Sequence, residues 1–219
     1  MIVNEIFNSI QGEGKYGGTN VVFLRLSGCD LQCSFCDSQY HVEGKQMSSE
    51  EIIEEIKQYN SKIIIITGGE PLLQQQEILS FIKEINPERK YNIVIETNGT
   101  IIPSQNLLTW IDHIACSPKL SSSGNDIDKR LNYDALQVIN NFHNSIFKFV
   151  ISTDEDLDEV EFLKDQVPLN LNKIYLMKEG ATSKEQYNGI ENFIDMCIKR
   201  GYHFSPRLHT MIWNNKRKV

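Results

Sequence analysis

The distribution of apolar residues along the chain predicts alternating strands and helices. Runs rich in β-branched residues, such as residues 21–26 and 62–67, are typical of strands that are buried on both faces of a parallel sheet. Amphipathic stretches lie between these runs, and the first begins with the Ser48 and Glu51 spacing of a capping box. The predicted strands are 2–10, 21–26, 62–67, 91–96, 113–116, 146–151 and 173–177. The predicted helices are 49–59, 72–85, 104–110, 133–142, 154–164 and 183–200.

After the N-terminal strand, six strand–helix units follow one another, which predicts an α/β fold with a parallel sheet and right-handed crossovers. Six units are fewer than the eight of a closed barrel, so we expect a partial (β/α)6-type parallel barrel that is partly open. We interpret residues 1–219 as one domain, with an N-terminal strand and turn (1–20), a barrel core (21–200) and a C-terminal tail over the site (201–219). The polar segment 120–129 is predicted to be a mobile loop, and the tail is not expected to form another unit.

The unusual residues of the chain follow the ends of the predicted strands. In parallel sheets of this kind, ligands bind at the carboxyl ends of the strands. The sequence therefore predicts a site at this rim, formed by segments 29–36 (CDLQCSFC), 67–71 (TGGEP), 96–100 (ETNGT), 117–119 (SPK) and 177–180 (MKEG).

Three cysteines, Cys29, Cys33 and Cys36, lie close together in a CxxxCxxC pattern. Three thiolates do not complete a four-coordinate structural metal site, and the nearest further candidate ligand is His41. An iron–sulfur cluster tolerates one open iron, which a small molecule can complete, so the pattern favours a cluster. A zinc-binding structural module is the alternative. The other two cysteines, at positions 116 and 197, lie in apolar stretches and are predicted to be core residues.

The segment from Gly68 to Pro71 follows the next strand and could bind the ligand of an open iron. An amino acid chelates through its amino and carboxylate groups, and its ammonium would meet backbone carbonyls and the Glu70 carboxylate, with the glycines allowing close approach. The alternative is a plain strand-to-helix turn with proline at an early helical position.

Composition and charge exclude several classes of function. Lysine and arginine number 22 against 29 aspartate and glutamate, a formal net charge of −7. Nucleic acids and anionic membranes require a positive field, so we expect small-molecule ligands, no nucleic-acid partner and no membrane partner. Neither a signal-peptide pattern nor a long apolar run is present, and we expect a cytoplasmic protein.

The CxxxCxxC pattern, Phe35 before its last cysteine and the GGEP segment together resemble the radical S-adenosylmethionine (radical SAM) superfamily over about residues 21–177. The resemblance implies a radical SAM type of partial barrel, with a [4Fe–4S] cluster held by the three cysteines. It also implies that S-adenosylmethionine binds the fourth iron and is cleaved to a 5′-deoxyadenosyl radical that removes hydrogen from the substrate.

Within this superfamily the chain resembles, almost end to end, the 7-carboxy-7-deazaguanine synthase family. The segments that carry the resemblance are 6–14, 23–29, 36–37, 67–72, 96–100, 116–119 and 205–209. The implied enzyme is a carbon–nitrogen lyase of queuosine biosynthesis. It would convert 6-carboxy-5,6,7,8-tetrahydropterin to 7-carboxy-7-deazaguanine with loss of ammonia, use Mg²⁺ and an electron donor such as flavodoxin, and form a homodimer. An activating enzyme for a glycyl-radical protein is the alternative within the superfamily.

The resemblance also implies roles for individual residues. Cys29, Cys33 and Cys36 are the catalytic cluster ligands. The implied S-adenosylmethionine-binding residues are Phe35, Cys36, Asp37, Gly69, Glu70, Ser117, Pro118 and Lys119. The implied substrate-binding residues are Ile10, Gln11, Gly12, Glu13, Arg25, Thr67 and, through its terminal carboxylate, Val219.

Two positions depart from the family pattern. Ser38 stands where the family usually has a threonine that binds Mg²⁺, and Lys178 stands where relatives tend to have proline. A serine hydroxyl offers the same oxygen ligand without the methyl group that restricts its rotamer, so the departure concerns metal affinity.

Overall fold

The computed structural model describes residues 1–34, 36 and 43–216. Its described strands form one nine-stranded sheet in the order β3-β1-β2-β4-β5-β6-β7-β8-β9. The strands are β1 (Ile2–Ile10), β2 (Asn20–Leu26), β3 (Lys45–Gln46), β4 (Ile63–Gly68), β5 (Asn92–Thr97), β6 (His113–Cys116), β7 (Ser145–Ile151), β8 (Ile174–Lys178) and β9 (His203–Phe204). All neighbours from β2 to β9 pair in parallel, whereas β1 is antiparallel to both β2 and β3. This mixed sheet has two free ends and is not a closed barrel, which confirms the predicted fold class.

Helices connect the parallel strands. They are α1 (Ser49–Lys57), α2 (Gln75–Ile85), α3 (Gln105–Leu108), α4 (Ile127–Arg130), α5 (Tyr133–Asn141), α6 (Asp154–Gln166), α7 (Ser183–Tyr187), α8 (Ile190–Arg200) and α9 (Leu208–Trp213). Short 3-10 turns occur at Gly14–Tyr16, Pro71–Gln74, Ser121–Ser123 and Leu171–Lys173. The predicted capping box begins α1: Ser48 Oγ accepts from Glu51 N, and Glu51 accepts from Ser48 N. Across the described residues, no helix is long and apolar enough to cross a membrane.

The strands separate two apolar clusters because alternate side chains point to opposite faces of the sheet. On β2, Val22 and Leu24 join the large core beneath the helices, whereas Val21 and Phe23 join a smaller cluster with Ile65 and Val94. Continuing the same alternation places Arg25, Thr67 and Glu96 on the face of the smaller cluster, nearer the strand ends. The inner face of the sheet is therefore apolar along the strands and polar toward the rim.

The C-terminal region contains more regular structure than the sequence predicts. The helix expected over 183–200 is divided into α7 and α8 by Gly189, whose φ of 69° is a left-handed conformation that glycine adopts easily. The prediction that the tail adds no unit is wrong, since it contributes β9, which pairs with β8, and α9. A two-residue strand is too short to produce a recognisable apolar pattern, which also explains why β3 was not predicted.

The segment 120–129, expected to be a loop, contains a 3-10 turn and most of α4. Ser123 and Arg130 are buried, and the Arg130 guanidinium pairs with Glu159 of α6. The serines that suggested a loop are packed against the segment of the three cysteines, as described below.

Candidate active site at the strand ends

The three cysteines follow β2, directly after Ser27 and Gly28. Each is a free, partly buried thiol. Burial raises the pKa of Cys29 to about 11 and raises that of Cys33 as well, because a thiolate loses solvation there. Backbone Leu31 N donates to Cys29 Sγ at 3.5 Å, and Asn125 Nδ2 donates to Cys33 Sγ at 3.4 Å. Sulfur atoms that receive N–H donors fit an iron–sulfur cluster, because coordination stabilises the thiolate and N–H groups stabilise its charge.

The glycines of the GGEP segment lie against the cysteine segment. Gly69 N donates to Leu26 O at 3.3 Å, and Glu70 N donates to Gly28 O at 2.9 Å. A Cβ atom at Gly69 would lie 2.1 Å from Gly28 O and 2.7 Å from Cys29 Cβ, so no larger residue fits. The two segments therefore share one surface beside Cys29, which is where a ligand that completes an open iron would bind.

Glu70 is wholly buried, and its carboxylate points into the protein. It accepts hydrogen bonds from Leu72 N at 2.9 Å, Thr97 Oγ1 at 2.9 Å and Asn98 N at 2.7 Å. Burial raises the pKa of Glu70 to about 7, although these hydrogen bonds act in the opposite direction. In this arrangement the carboxylate holds the turn after β4 to the end of β5.

Asp30, inside the CxxxCxxC pattern, links the cysteine segment to the ETNGT segment after β5. Its Oδ1 atom accepts from Asn98 Nδ2 at 3.0 Å, and its Oδ2 atom accepts from Thr100 Oγ1. The ends of β2, β4 and β5 are thus connected by carboxylates that receive hydrogen bonds from neighbouring segments.

The SPK segment continues this rim after β6. Ser117 N donates to Thr97 O at 2.7 Å, and Lys119 Nζ donates to Ser117 Oγ at 3.1 Å. The positive charge of Lys119 lowers the pKa of Cys33, against the larger effect of burial. Ser117, Pro118 and Lys119 therefore belong to the same rim as the cysteines and Gly69.

The predicted substrate residues gather on the inner face around Glu96. This carboxylate accepts from Gln11 Nε2 at 3.1 Å, Thr67 Oγ1 at 3.2 Å and Lys148 Nζ at 3.0 Å. Arg25 lies on the same face of β2, where its Nε atom donates to Glu5 of β1 at 2.9 Å. Arg25 therefore has an acidic partner on the neighbouring strand.

Lys148 also bonds to Glu13, whose carboxylate lies among three basic groups. The distances from Glu13 are 2.9 Å to Lys148 Nζ, 3.1 Å to Arg207 Nε and 3.9 Å to His209 Nε2. Burial alone would raise the pKa of Glu13, but the charges of Lys148, Arg207 and His209 lower it well below its usual range. Burial likewise would lower the pKa of Lys148, and Glu96 and Glu13 raise it above its usual range.

The turn after β1 and the C-terminal tail close this polar cluster together. Leu208 N donates to Gly12 O at 3.0 Å, and Gly14 N donates to Ser205 Oγ at 2.8 Å. A Cβ atom at Gly12 would lie 2.0 Å from His209 Nδ1, so the tail packs directly on the turn that follows Ile10.

The sequence-based predictions give no individual role to Glu96, Lys148 or Arg207, although segment 96–100 is part of the predicted rim and segment 205–209 carries part of the family resemblance. The available signal was a charged residue in an apolar strand: Lys148 interrupts SIFKFVI as Arg25 interrupts NVVFLRL. Four predicted site residues, Phe35, Asp37, Ser38 and Val219, lie outside the described residues.

Comparison with known proteins agrees with the sequence-based interpretation. The model of the radical SAM superfamily matches residues 24–115. The 7-carboxy-7-deazaguanine synthase of Halobacterium salinarum is 32% identical over 97% of this chain and 90% of its own length. The one from Hyperthermus butylicus is also 32% identical, over 96% of this chain and 92% of its own length.

A solved structure supports the fold. The crystal structure of QueE from Escherichia coli superposes with a TM-score of 0.73, covering 95% of this chain and 94% of that one, at 22% sequence identity. Identity with the two synthases extends over nearly the whole of both sequences, well beyond the region shared by the superfamily. The chain therefore belongs to the 7-carboxy-7-deazaguanine synthase family of radical SAM enzymes.

Proposed function

We propose that the chain is a radical SAM lyase that converts 6-carboxy-5,6,7,8-tetrahydropterin to 7-carboxy-7-deazaguanine with loss of ammonia. Membership of the family supports the reaction. The observation that carries the proposal is the convergence of Gln11, Thr67 and Lys148 on Glu96, on the inner face of the sheet and near the cysteine segment. A pterin ring presents both donors and acceptors, and this cluster offers both in a partly enclosed place.

Residues at the rim of the sheet would bind the cofactors. Cys29, Cys33 and Cys36 would hold a [4Fe–4S] cluster, and the rim residues Gly69, Ser117, Pro118 and Lys119 would hold S-adenosylmethionine. When bound, these groups supply a 5′-deoxyadenosyl radical that removes a hydrogen atom from the substrate. Side chains of this protein would position the segments that bind these groups. Glu70 fixes the Gly69 turn through hydrogen bonds from Thr97 and Asn98. Asp30 fixes the cysteine segment through hydrogen bonds from Asn98 and Thr100.

Residues on the inner face of the sheet would bind the substrate. Arg25 would bind the substrate carboxylate, because a guanidinium pairs with carboxylates in a planar, directional way. Glu96 would accept N–H groups of the pterin, as it accepts from Gln11 in this structure. Lys148 pairs with both Glu96 and Glu13, so one buried cation offsets part of the negative charge of both carboxylates.

We also propose the finer features that the resemblance implies. Ser38 would provide a hydroxyl ligand to Mg²⁺, and the enzyme would be a cytoplasmic homodimer reduced by a donor such as flavodoxin. Omitting Mg²⁺ from the reconstituted reaction should lower turnover, and Ser38→Ala should lower it further at limiting Mg²⁺. A rate independent of Mg²⁺ would remove the metal from the proposal.

The direct test is product formation by the reconstituted enzyme. The anaerobically purified chain should be incubated with 6-carboxytetrahydropterin, S-adenosylmethionine, Mg²⁺ and a chemical reductant, and the product identified by mass spectrometry. We expect 7-carboxy-7-deazaguanine and ammonia in equal amounts, and neither from a variant with serine at all three cluster cysteines. An intact cluster that cleaves S-adenosylmethionine but leaves the pterin unchanged would overturn the substrate assignment.

The alternative, an activating enzyme for a glycyl-radical protein, would require an open groove for a protein loop. The contacts of the C-terminal tail with the turn after β1, from Leu208 to Gly12 and from Ser205 to Gly14, favour an enclosed small-molecule site instead.

A further inference from the structure

The segment 121–125 is packed against the cysteine segment through both backbone and side chains. Ser34 N donates to Ser123 O at 2.9 Å, and Ser34 Oγ donates to Ser122 O at 3.2 Å. Gln32 N donates to Asn125 Oδ1 at 3.0 Å. These contacts fall on the residues that flank Cys33, so the segment supports the middle ligand of the predicted cluster.

The orientation of the Asn125 amide follows from its partners. Because its oxygen accepts the backbone N–H of Gln32, its NH₂ group faces the opposite direction, where Cys33 Sγ lies 3.4 Å from Nδ2. Among the described residues, Nδ2 also lies near two atoms of Ser123, its carbonyl oxygen at 3.4 Å and Oγ at 3.2 Å. One amide hydrogen is thus directed at the sulfur and the other at Ser123.

One ion pair and two hydrogen bonds beside the segment hold Asn125 in place. The buried Arg130 guanidinium pairs with Glu159 and donates to Lys119 O at 2.9 Å. Glu159 also accepts from Ser121 N at 2.7 Å. The segment is therefore attached to α6 on one side and to the SPK segment on the other, which restricts movement of the Asn125 amide away from the sulfur.

We propose that Asn125 is a positioning residue for the iron–sulfur cluster, one that raises the reduction potential of the cluster through its N–H···S bond to Cys33. Hydrogen bonds to cluster sulfurs stabilise the reduced, more negative state, and outer partners of metal ligands set their orientation. The proposal rests on the cluster of the proposed function and does not depend on the pterin substrate.

The test compares three reconstituted variants by redox titration monitored by electron paramagnetic resonance, without pterin. Asn125→Asp keeps an acceptor for Gln32 N but replaces the donor with a charged oxygen, and Asn125→Ser shortens the side chain. Lys129→Gln is the control, because it lowers the net charge by the same unit as Asn125→Asp from an exposed side chain that pairs with Asp126.

In Asn125→Asp we expect the equilibrium constant for one-electron reduction of the cluster to fall about tenfold, which lowers the reduction potential by about 59 mV. The reduction potential should fall less in Asn125→Ser. Lys129→Gln should match the unmodified enzyme. Loss of cluster iron from both Asn125 variants, with an unchanged circular dichroism spectrum and an intact control, would also support the proposal. Unchanged potential and iron content in both would overturn it, whereas failure of the pterin assay alone would concern only the proposed function.

Discussion

Lys148 Nζ lies 2.9 Å from Glu13 Oε2, although the two residues are separated by 135 positions in the sequence. Through this contact β7 holds the turn that follows β1, which carries three of the predicted substrate residues, Gln11, Gly12 and Glu13. Lys148 simultaneously binds Glu96, so one buried cation connects the turn to the carboxylate at the centre of the inner face. The placement of the predicted substrate site therefore depends on a residue with no role in the sequence patterns.

Replacing Lys148 with methionine should destabilise the fold by about 3–5 kcal/mol, because it leaves two carboxylates without their shared buried cation. Unfolding in guanidinium chloride, followed by circular dichroism, measures the change. The matched control is Lys129→Met, which removes an exposed ion pair with Asp126 and should cost at most about 1 kcal/mol. An equal loss of unfolding free energy in the two variants would show that the buried cluster stabilises the fold no more than a surface ion pair does.

Gly12→Ala should displace the C-terminal tail, since the new Cβ would lie 2.0 Å from His209 Nδ1. Overpacking of this kind costs about 1–3 kcal/mol, and hydrogen exchange should increase in α9. Gly17→Ala is the control, because among the described residues its Cβ would meet only Gly14 O, at 3.4 Å. If the clash is the cause, the double variant Gly12→Ala with His209→Ala recovers most of the lost stability. A double variant as unstable as Gly12→Ala alone would contradict that cause.

Thr97→Val should destabilise the rim by about 1–3 kcal/mol, because the buried Glu70 carboxylate loses a hydroxyl donor at 2.9 Å and valine keeps the same shape. It should also weaken S-adenosylmethionine binding, through looser placement of the Gly69 turn. Thermal unfolding and equilibrium binding measure the two effects. The same substitution at exposed Thr109, whose hydroxyl donates to Asn106 O at 2.8 Å, should change neither.

His113, at the start of β6, should make the stability of the fold depend on pH. This histidine is buried, its Nδ1 atom lies 3.2 Å from Asn144 Oδ1, and its Nε2 atom has no partner among the described residues. Burial lowers the pKa of His113 from 6.5 to about 4, so the unfolded chain takes up the proton first as the pH falls. The stability that neutral His113 provides is complete above about pH 6.5 and is lost as the pH falls toward 4.

The measurement for His113 is the free energy of unfolding between pH 4 and 7 in the unmodified chain and in His113→Gln. The free energy of unfolding of the unmodified chain, minus that of His113→Gln, should increase by about 3 kcal/mol from pH 4 to 7 and stay constant above pH 7. A difference that is independent of pH would contradict the burial of a neutral histidine.

Much of the rim could be predicted from the sequence, because continuous apolar runs locate the strands and parallel strands bring their ends to one edge. The three cysteines, Gly69 and the SPK segment follow from that rule alone. The predicted core positions Cys116 and Cys197 are indeed buried.

The inner face of the site could not be predicted in the same way. The Glu96–Lys148 pair joins β5 and β7, and which side chains meet across a curved sheet depends on its twist and on the closing turn and tail. Local patterns also do not reveal a two-residue strand such as β9, whose pairing with β8 brings Ser205 and Arg207 to the turn after β1.

Hydrogen removal from the pterin and its rearrangement to a deazapurine are the defining steps of the proposed reaction. The most direct measurement is isotope transfer during turnover of 6-carboxytetrahydropterin deuterated at its ring carbons, with mass spectrometry of both products. We expect deuterium in 5′-deoxyadenosine together with formation of 7-carboxy-7-deazaguanine, and slower formation of both in Glu96→Gln at equal cluster content. Cleavage of S-adenosylmethionine by an intact cluster with no deuterium in 5′-deoxyadenosine and no deazapurine would contradict it.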